Sequence, residues 1–203
     1  MKIQLCAAAL AACLAACGGG GGNAGSAGAP STPPVSTSGN LDAYVGTWAS
    51  ACASHAIDTA VIARTAGSNN ALTIAVTTSY YANTACTGDV IATQVWSAAT
   101  TATYVGTVAS AIMPGAISAS IDKVTAQLPQ RSVTLTGTFV SHKIIDGQPN
   151  WCIDYAGGSV CVPDRIYAAE TAPFDGLAIQ GGELVEVKSN GVNYDAVERF
   201  TKR

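Results

Sequence analysis

Apolar and polar residues alternate with a period of two through much of the chain after residue 40. Leu72, Ile74 and Val76 are interleaved with Thr73, Ala75 and Thr77. Val133, Leu135 and Phe139 are interleaved with Thr134, Thr136 and Thr138, and Val185 and Val187 with Glu186 and Lys188. A period of two is that of a β-strand with one buried face. Turn-forming clusters break the runs: Gly67-Ser68-Asn69-Asn70, Pro129-Gln130, Asp146-Gly147 and Asn190-Gly191. The pattern predicts strands near 44–52, 59–66, 71–81, 90–98, 101–110, 117–128, 132–142, 151–155 and 159–163, and a hairpin over 183–201. Helical patterning is confined to one short turn over 40–44, with Asn40 as its cap.

The expected class is therefore all-β. Consecutive hairpins with one apolar face fit a single up-and-down antiparallel β-barrel, in which closure removes exposed edges. A two-sheet β-sandwich is the alternative. A membrane-spanning barrel fits less well, because the outward faces carry Thr and Ser rather than an apolar band with aromatic girdles. Small residues expected to face inward (Ala75, Ala92, Ala109, Ala119) leave room for a cavity or simply pack.

The first 39 residues follow a different pattern. Lys2 is followed by an apolar run to Ala16, and no further charge occurs before Asp42. This run is shorter than the ~20 residues that span a bilayer and has the form of a secretory signal. Its end, Leu14-Ala15-Ala16-Cys17, resembles the lipobox of bacterial lipoproteins. The resemblance implies cleavage before Cys17 and acylation of Cys17, with palmitate-type chains as a membrane anchor. Leu10-Ala11-Ala12-Cys13 also fits. Cutting there would leave an apolar core of only about seven residues, and the run Gly18–Gly22 follows Cys17. Gly18, where inner-membrane retention would show Asp, implies the outer membrane. Residues 17–39 then form a Gly/Ser/Pro-rich linker too polar to fold alone. The organisation expected is 1–16 signal peptide, 17–39 lipidated Cys and linker, and 40–203 folded domain.

Charge and cysteine count sharpen this picture. The chain has a formal net charge of −3, which becomes −4 once Lys2 is removed, and this argues against a nucleic-acid partner. Residues 40–121 carry only Asp42, Asp58, Arg64 and Asp89 as charged side chains. That low-charge half is either a partner-facing surface or an ordinary Thr/Ser strand face. Of seven cysteines, the signal takes Cys6 and Cys13, and lipid takes Cys17. Cys52, Cys86, Cys152 and Cys161 remain, an even set for an oxidising compartment. Cys152 and Cys161 flank a turn at Tyr155-Ala156-Gly157-Gly158. Pairing Asp154 with Ser159 across it sets the two cysteines opposite each other. Cys52 and Cys86 then pair by default.

Gly46-Thr47-Trp48 opens the first strand just after the short helical turn, and this placement resembles the Gly-x-Trp signature of lipocalins. Ile153-Asp154-Tyr155 resembles their later Thr-Asp-Tyr element, with Ile in place of Thr. The resemblance implies a lipocalin-like barrel closed at one end by Trp48, with Gly46 beside it and a late basic residue, Arg199 or Arg165, over the ring. The family's helix after the barrel strands is not seen.

Catalytic chemistry is not evident. His55 and His142 are the only histidines. Cys52-Ala53-Ser54-His55 has metal-like spacing, but an oxidised Cys52 is no thiolate ligand. No Cys-x-x-Cys-His, His-Glu-x-x-His, Gly-x-Ser-x-Gly or phosphate-loop motif occurs. Asp154, Asp164 and Asp175 match no calcium loop. The expectation is a non-enzymatic lipoprotein without metal or cofactor, anchored to the membrane through lipid, whose barrel binds an apolar or amphipathic small ligand. The alternative is a filled barrel that binds a protein partner in the cell envelope. A cavity above about 300 Å³ with apolar walls separates the two.

Overall fold

The computed structural model describes residues 41–155 and 158–203. The expected signal peptide, lipidated Cys17, linker and Asn40 cap lie outside the described residues. A 3-10 turn, Leu41–Tyr44, leads into fourteen strands: β1 (Gly46–Ser50), β2 (Ala56–Arg64), β3 (Ala71–Tyr81), β4 (Val90–Trp96), β5 (Thr100–Met113), β6 (Ile117–Leu128), β7 (Val133–Thr136), β8 (Val140–Ile145), β9 (Gln148–Tyr155), β10 (Gly158–Pro163), β11 (Glu170–Thr171), β12 (Gly176–Gln180), β13 (Glu183–Ser189) and β14 (Tyr194–Lys202). Eleven strands form a large, mostly antiparallel sheet, and β8–β10 form a separate small one. The domain is all-β.

In the large sheet, the pairings run β3–β5–β6–β12–β13–β14–β1–β2 and return to β3. Each of these eight strands gives side chains to one buried cluster. Trp48, Ile62, Leu72, Tyr104, Val124, Leu177, Leu184 and Phe200 are among its members, with Leu41 and Tyr44 of the 3-10 turn packed in as well. The alternation of strand side chains explains this, since one face of every strand points to the same volume. Tyr44 fixes the turn in place by donating to Asp122 Oδ2 at 2.7 Å, and burial together with that carboxylate raises its phenol pKa.

The second half of β3 leaves this circuit to pair with β4, which pairs with β7. Against them lies a second core, with Tyr80, Ile91, Val133, Leu135 and Ile153 buried and Trp96, Trp151 and Tyr167 partly so. A third cluster joins Ile112 and Ile121 of the β5–β6 hairpin to Val185, Val187 and Tyr194. Leu184 and Val185 are neighbours that feed different clusters, so β13 is buried on both faces.

Several expectations need correction. The run 132–142 is two strands, broken at Gly137. There φ is +143°, and a Cβ would lie 2.3 Å from the Ile91 carbonyl oxygen; only glycine fits so close to β4. Phe139, expected on an apolar face, is 48 % exposed. Strands β11 and β12 lay in a segment with no expected strand. Ala75 and Ala109 are exposed, Ala119 packs on the third cluster, and Ala92 is buried in the second. None lines the circuit's interior, where the small residues are Ala60, Ala102 and Ala126.

Cys52 is bonded to Cys86 and Cys152 to Cys161. The β9–β10 register sets Ser159 against Asp154 and Cys161 against Cys152, as a symmetric hairpin requires. The first bridge ties the β1–β2 connection to the loop after β3.

Candidate functional site

Trp48 lies 2 % exposed at the base of the main cluster, and its indole N–H donates to the Tyr44 carbonyl at 2.7 Å. Lys202 faces it across the β1–β14 ladder, with Nζ 5.3 Å from the ring centroid. Gly46, two residues before Trp48, has φ +138°, and a Cβ there would come to 3.1 Å from Lys202 Cε. The glycine thus leaves room for the lysine stem. Arg199 does not take this position. Its guanidinium meets Glu183 at 3.3 Å and the Gln180 amide oxygen at 3.0 Å. Side-chain parity gives the reason: Phe200 and Lys202 share the face of Trp48, and Arg199 is on the other. Arg165, the other candidate, lies over Tyr167 at 4.9 Å.

The apolar side chains that face the interior of the strand circuit are buried and pack on one another. An apolar cavity lies at the rim of this cluster, where β3 parts from β5 and turns to β4. It measures about 310 Å³ and is walled by Ile74, Val76, Trp96, Leu128 and Pro173, with Arg131 and Glu170 as its charged members. Ile74 belongs to the main cluster and Trp96 packs on the second, so the cavity sits at the join of two cores.

Arg131 is the polar centre of this cavity. It is 9 % exposed. Paired backbone hydrogen bonds to Tyr167, N to O at 3.0 Å and N to O in return at 2.8 Å, hold it in place. The guanidinium carbon lies 4.9 Å from the Trp96 ring and 5.9 Å from the Tyr167 ring, and these rings meet edge to face. One guanidinium nitrogen donates to Glu170 at 2.9 Å and another to the Pro129 carbonyl at 3.4 Å. The Glu170 side chain is 60 % exposed. A desolvated cation with aromatic faces beside it, apolar walls and a well-hydrated counterion make a chemically asymmetric pocket.

The circuit also holds carboxylates. Glu186 and Glu198 are register partners on β13 and β14, and Asp58 accepts a hydrogen bond from Thr78. Desolvation, then repulsion from Glu198 and Asp58, pushes the Glu186 pKa up to about 8. Glu198 is raised for the same reasons, burial first and Asp58 second.

The remaining candidates are engaged locally. His142 pairs with Asp164 at 2.9 Å, and Lys143 holds Asp154 at 2.6 Å, with Lys188 on Asp175 at 3.2 Å. The three aspartates do not converge, and no group of metal-ligating side chains forms among the described residues. His55 stacks on Tyr155 at 4.6 Å, while Cys52 is in its disulfide. The cavity residues escaped sequence reading because they come from four separate segments, 74–76, 96–100, 128–131 and 170–173. The pairing of Trp96 with Arg131 carries no local spacing.

Compared with protein-family models, curated proteins and solved structures, the chain matches none.

Proposed function

We propose that residues 40–203 are a lipid-tethered β-barrel domain that binds an amphipathic small molecule in the cavity beside Arg131. The observation that carries this is the cavity itself: about 310 Å³, walled mainly by apolar side chains and holding one buried cation. Ligand pockets commonly combine such walls with a few placed polar groups. The barrel reading is supported by the closed circuit of strand pairings and by Lys202 over Trp48, which parallels the lipocalin resemblance. The ligand then sits at the rim, beside the packed apolar cluster. The anchor reading rests on Leu14-Ala15-Ala16-Cys17. It makes the protein an outer-membrane lipoprotein with two disulfides in an oxidising envelope.

A protein partner is the second reading, favoured by the packed apolar cluster inside the circuit. A fluorescent apolar probe titrated into the full chain separates the two. Ala98 also lines the cavity; saturable binding, lost in Ala98→Trp, whose bulk enters the cavity, with the strand signal in circular dichroism intact, is the expected result. Binding that never saturates, or that survives Ala98→Trp unchanged, would favour the partner reading.

A further inference from the structure

We infer, on the reading that this cavity holds the ligand, that its occupant is a single-chain anionic amphiphile whose carboxylate binds Arg131. Three observations converge. The Arg131 guanidinium is 9 % exposed and borders the apolar cavity, so a charge placed there interacts more strongly than in water. Its existing anion, Glu170, has a side chain 60 % exposed; it swings into solvent without leaving a buried charge behind. Finally, the positive side is in excess. Arg165 lies over the same Tyr167 ring and forms no ion pair among the described residues, so two guanidinium groups share that ring while one carboxylate, Glu170, is paired with Arg131.

The planar guanidinium fork suits a carboxylate, and charge-assisted hydrogen bonds are the stronger kind. A neutral head group leaves the Arg131–Glu170 pair as it stands and gains only the walls. A cationic head group meets Arg131 directly. Size selects the tail. At roughly 30 Å³ per water-sized group, a cavity of this volume accepts about ten non-hydrogen atoms. That fits a medium-chain fatty carboxylate and is too small for a two-chain phospholipid. The tail lies against Ile74, Val76 and Leu128, and the head group takes over the guanidinium nitrogen that Glu170 now holds.

The test is calorimetric titration of the purified full chain with octanoate, octan-1-ol and octylammonium, which share a tail and differ in head-group charge. Octanoate is expected to bind about tenfold more tightly than octan-1-ol, and octylammonium not at all at the same concentrations. Arg131→Gln should bring octanoate down to the level of octan-1-ol measured in the same variant. Glu170→Gln, with its strand signal in circular dichroism checked first, should tighten octanoate severalfold relative to octan-1-ol in the same variant, and it decides the matter if Arg131→Gln does not fold. Equal binding of octanoate and octan-1-ol, unmoved by Glu170→Gln, overturns the head-group assignment while leaving the cavity as a binding site. Failure of all three probes to bind the folded chain overturns both.

Discussion

Lys202 stands directly opposite Trp48 on the β1–β14 ladder, its ammonium nitrogen 5.3 Å from the indole centroid. The pair joins the first strand to the last and brings both chain ends of the domain onto one buried ring. Trp48→Ala should destabilise by about 3–5 kcal/mol, the usual cost of deleting a buried aromatic. Lys202→Ala should cost about 0.5–1 kcal/mol, because the cation is exposed. Arg199→Ala should leave the Trp48 environment unchanged. Urea unfolding followed by tryptophan fluorescence measures all three.

Gly137→Ala should destabilise by about 1–3 kcal/mol or more, because the new Cβ would strike the Ile91 carbonyl in a backbone region that side chains rarely adopt. The same substitution at Gly67, with open space around it, should cost less. Denaturant midpoints of the two variants provide the comparison.

Stability should fall as pH rises from about 4.5 to about 8. Folded Glu186 keeps its proton up to about pH 8, whereas in the unfolded chain it ionises near its ordinary value. The folded state therefore binds more protons within this window, and raising the pH favours unfolding. The slope is at most about 1.4 kcal/mol per pH unit for this one group. Glu198 is shifted in the same direction and adds to the slope. Asp154 is shifted downward by its hydrogen bonds from Lys143 and Ser141, so its contribution is lost only as pH drops below the ordinary carboxylate range. Thermal melts across pH 4–9, repeated on Glu186→Gln, should show the slope and its reduction.

Loop length ranks the disulfides. The Cys52–Cys86 bridge spans a sequence separation of 34 and Cys152–Cys161 one of 9. Chain-entropy estimates are about 3.8 and about 2.7 kcal/mol. Replacing the first pair by alanines should therefore destabilise by about 1 kcal/mol more than replacing the second, as read from urea midpoints.

Cys17 should carry the lipid. Intact mass of the membrane-extracted protein is expected to show a chain starting at Cys17 with added acyl mass, and Cys17→Ala should release the protein from the membrane fraction. Full membrane retention of that variant would contradict the assignment.

Strands were legible where one face is buried. Leu72 and Ile74 are buried in β3, and Val133 and Leu135 in β7, as their alternation implies. Strand β12 was not legible, because Leu177 and Ala178 are both fully buried and a strand covered on two faces shows no period of two. Glu186 looked like a solvent-facing member of β13, yet it shares the face of buried Leu184. Cys152–Cys161 was legible because a hairpin register is local, and Cys52–Cys86 followed by elimination. The Arg131 cavity was not legible, because residues far apart in the chain, from Ile74 to Pro173, are brought together only by the fold.

Methyl-resolved NMR of the full chain during titration with octan-1-ol tests the central claim most directly. Binding in the cavity predicts saturable shifts of the Ile74, Val76 and Leu128 methyls, with Leu72, Leu184 and Val185 unmoved. Shifts centred on Leu72 and Leu184, or no saturable shift at any methyl, would contradict it.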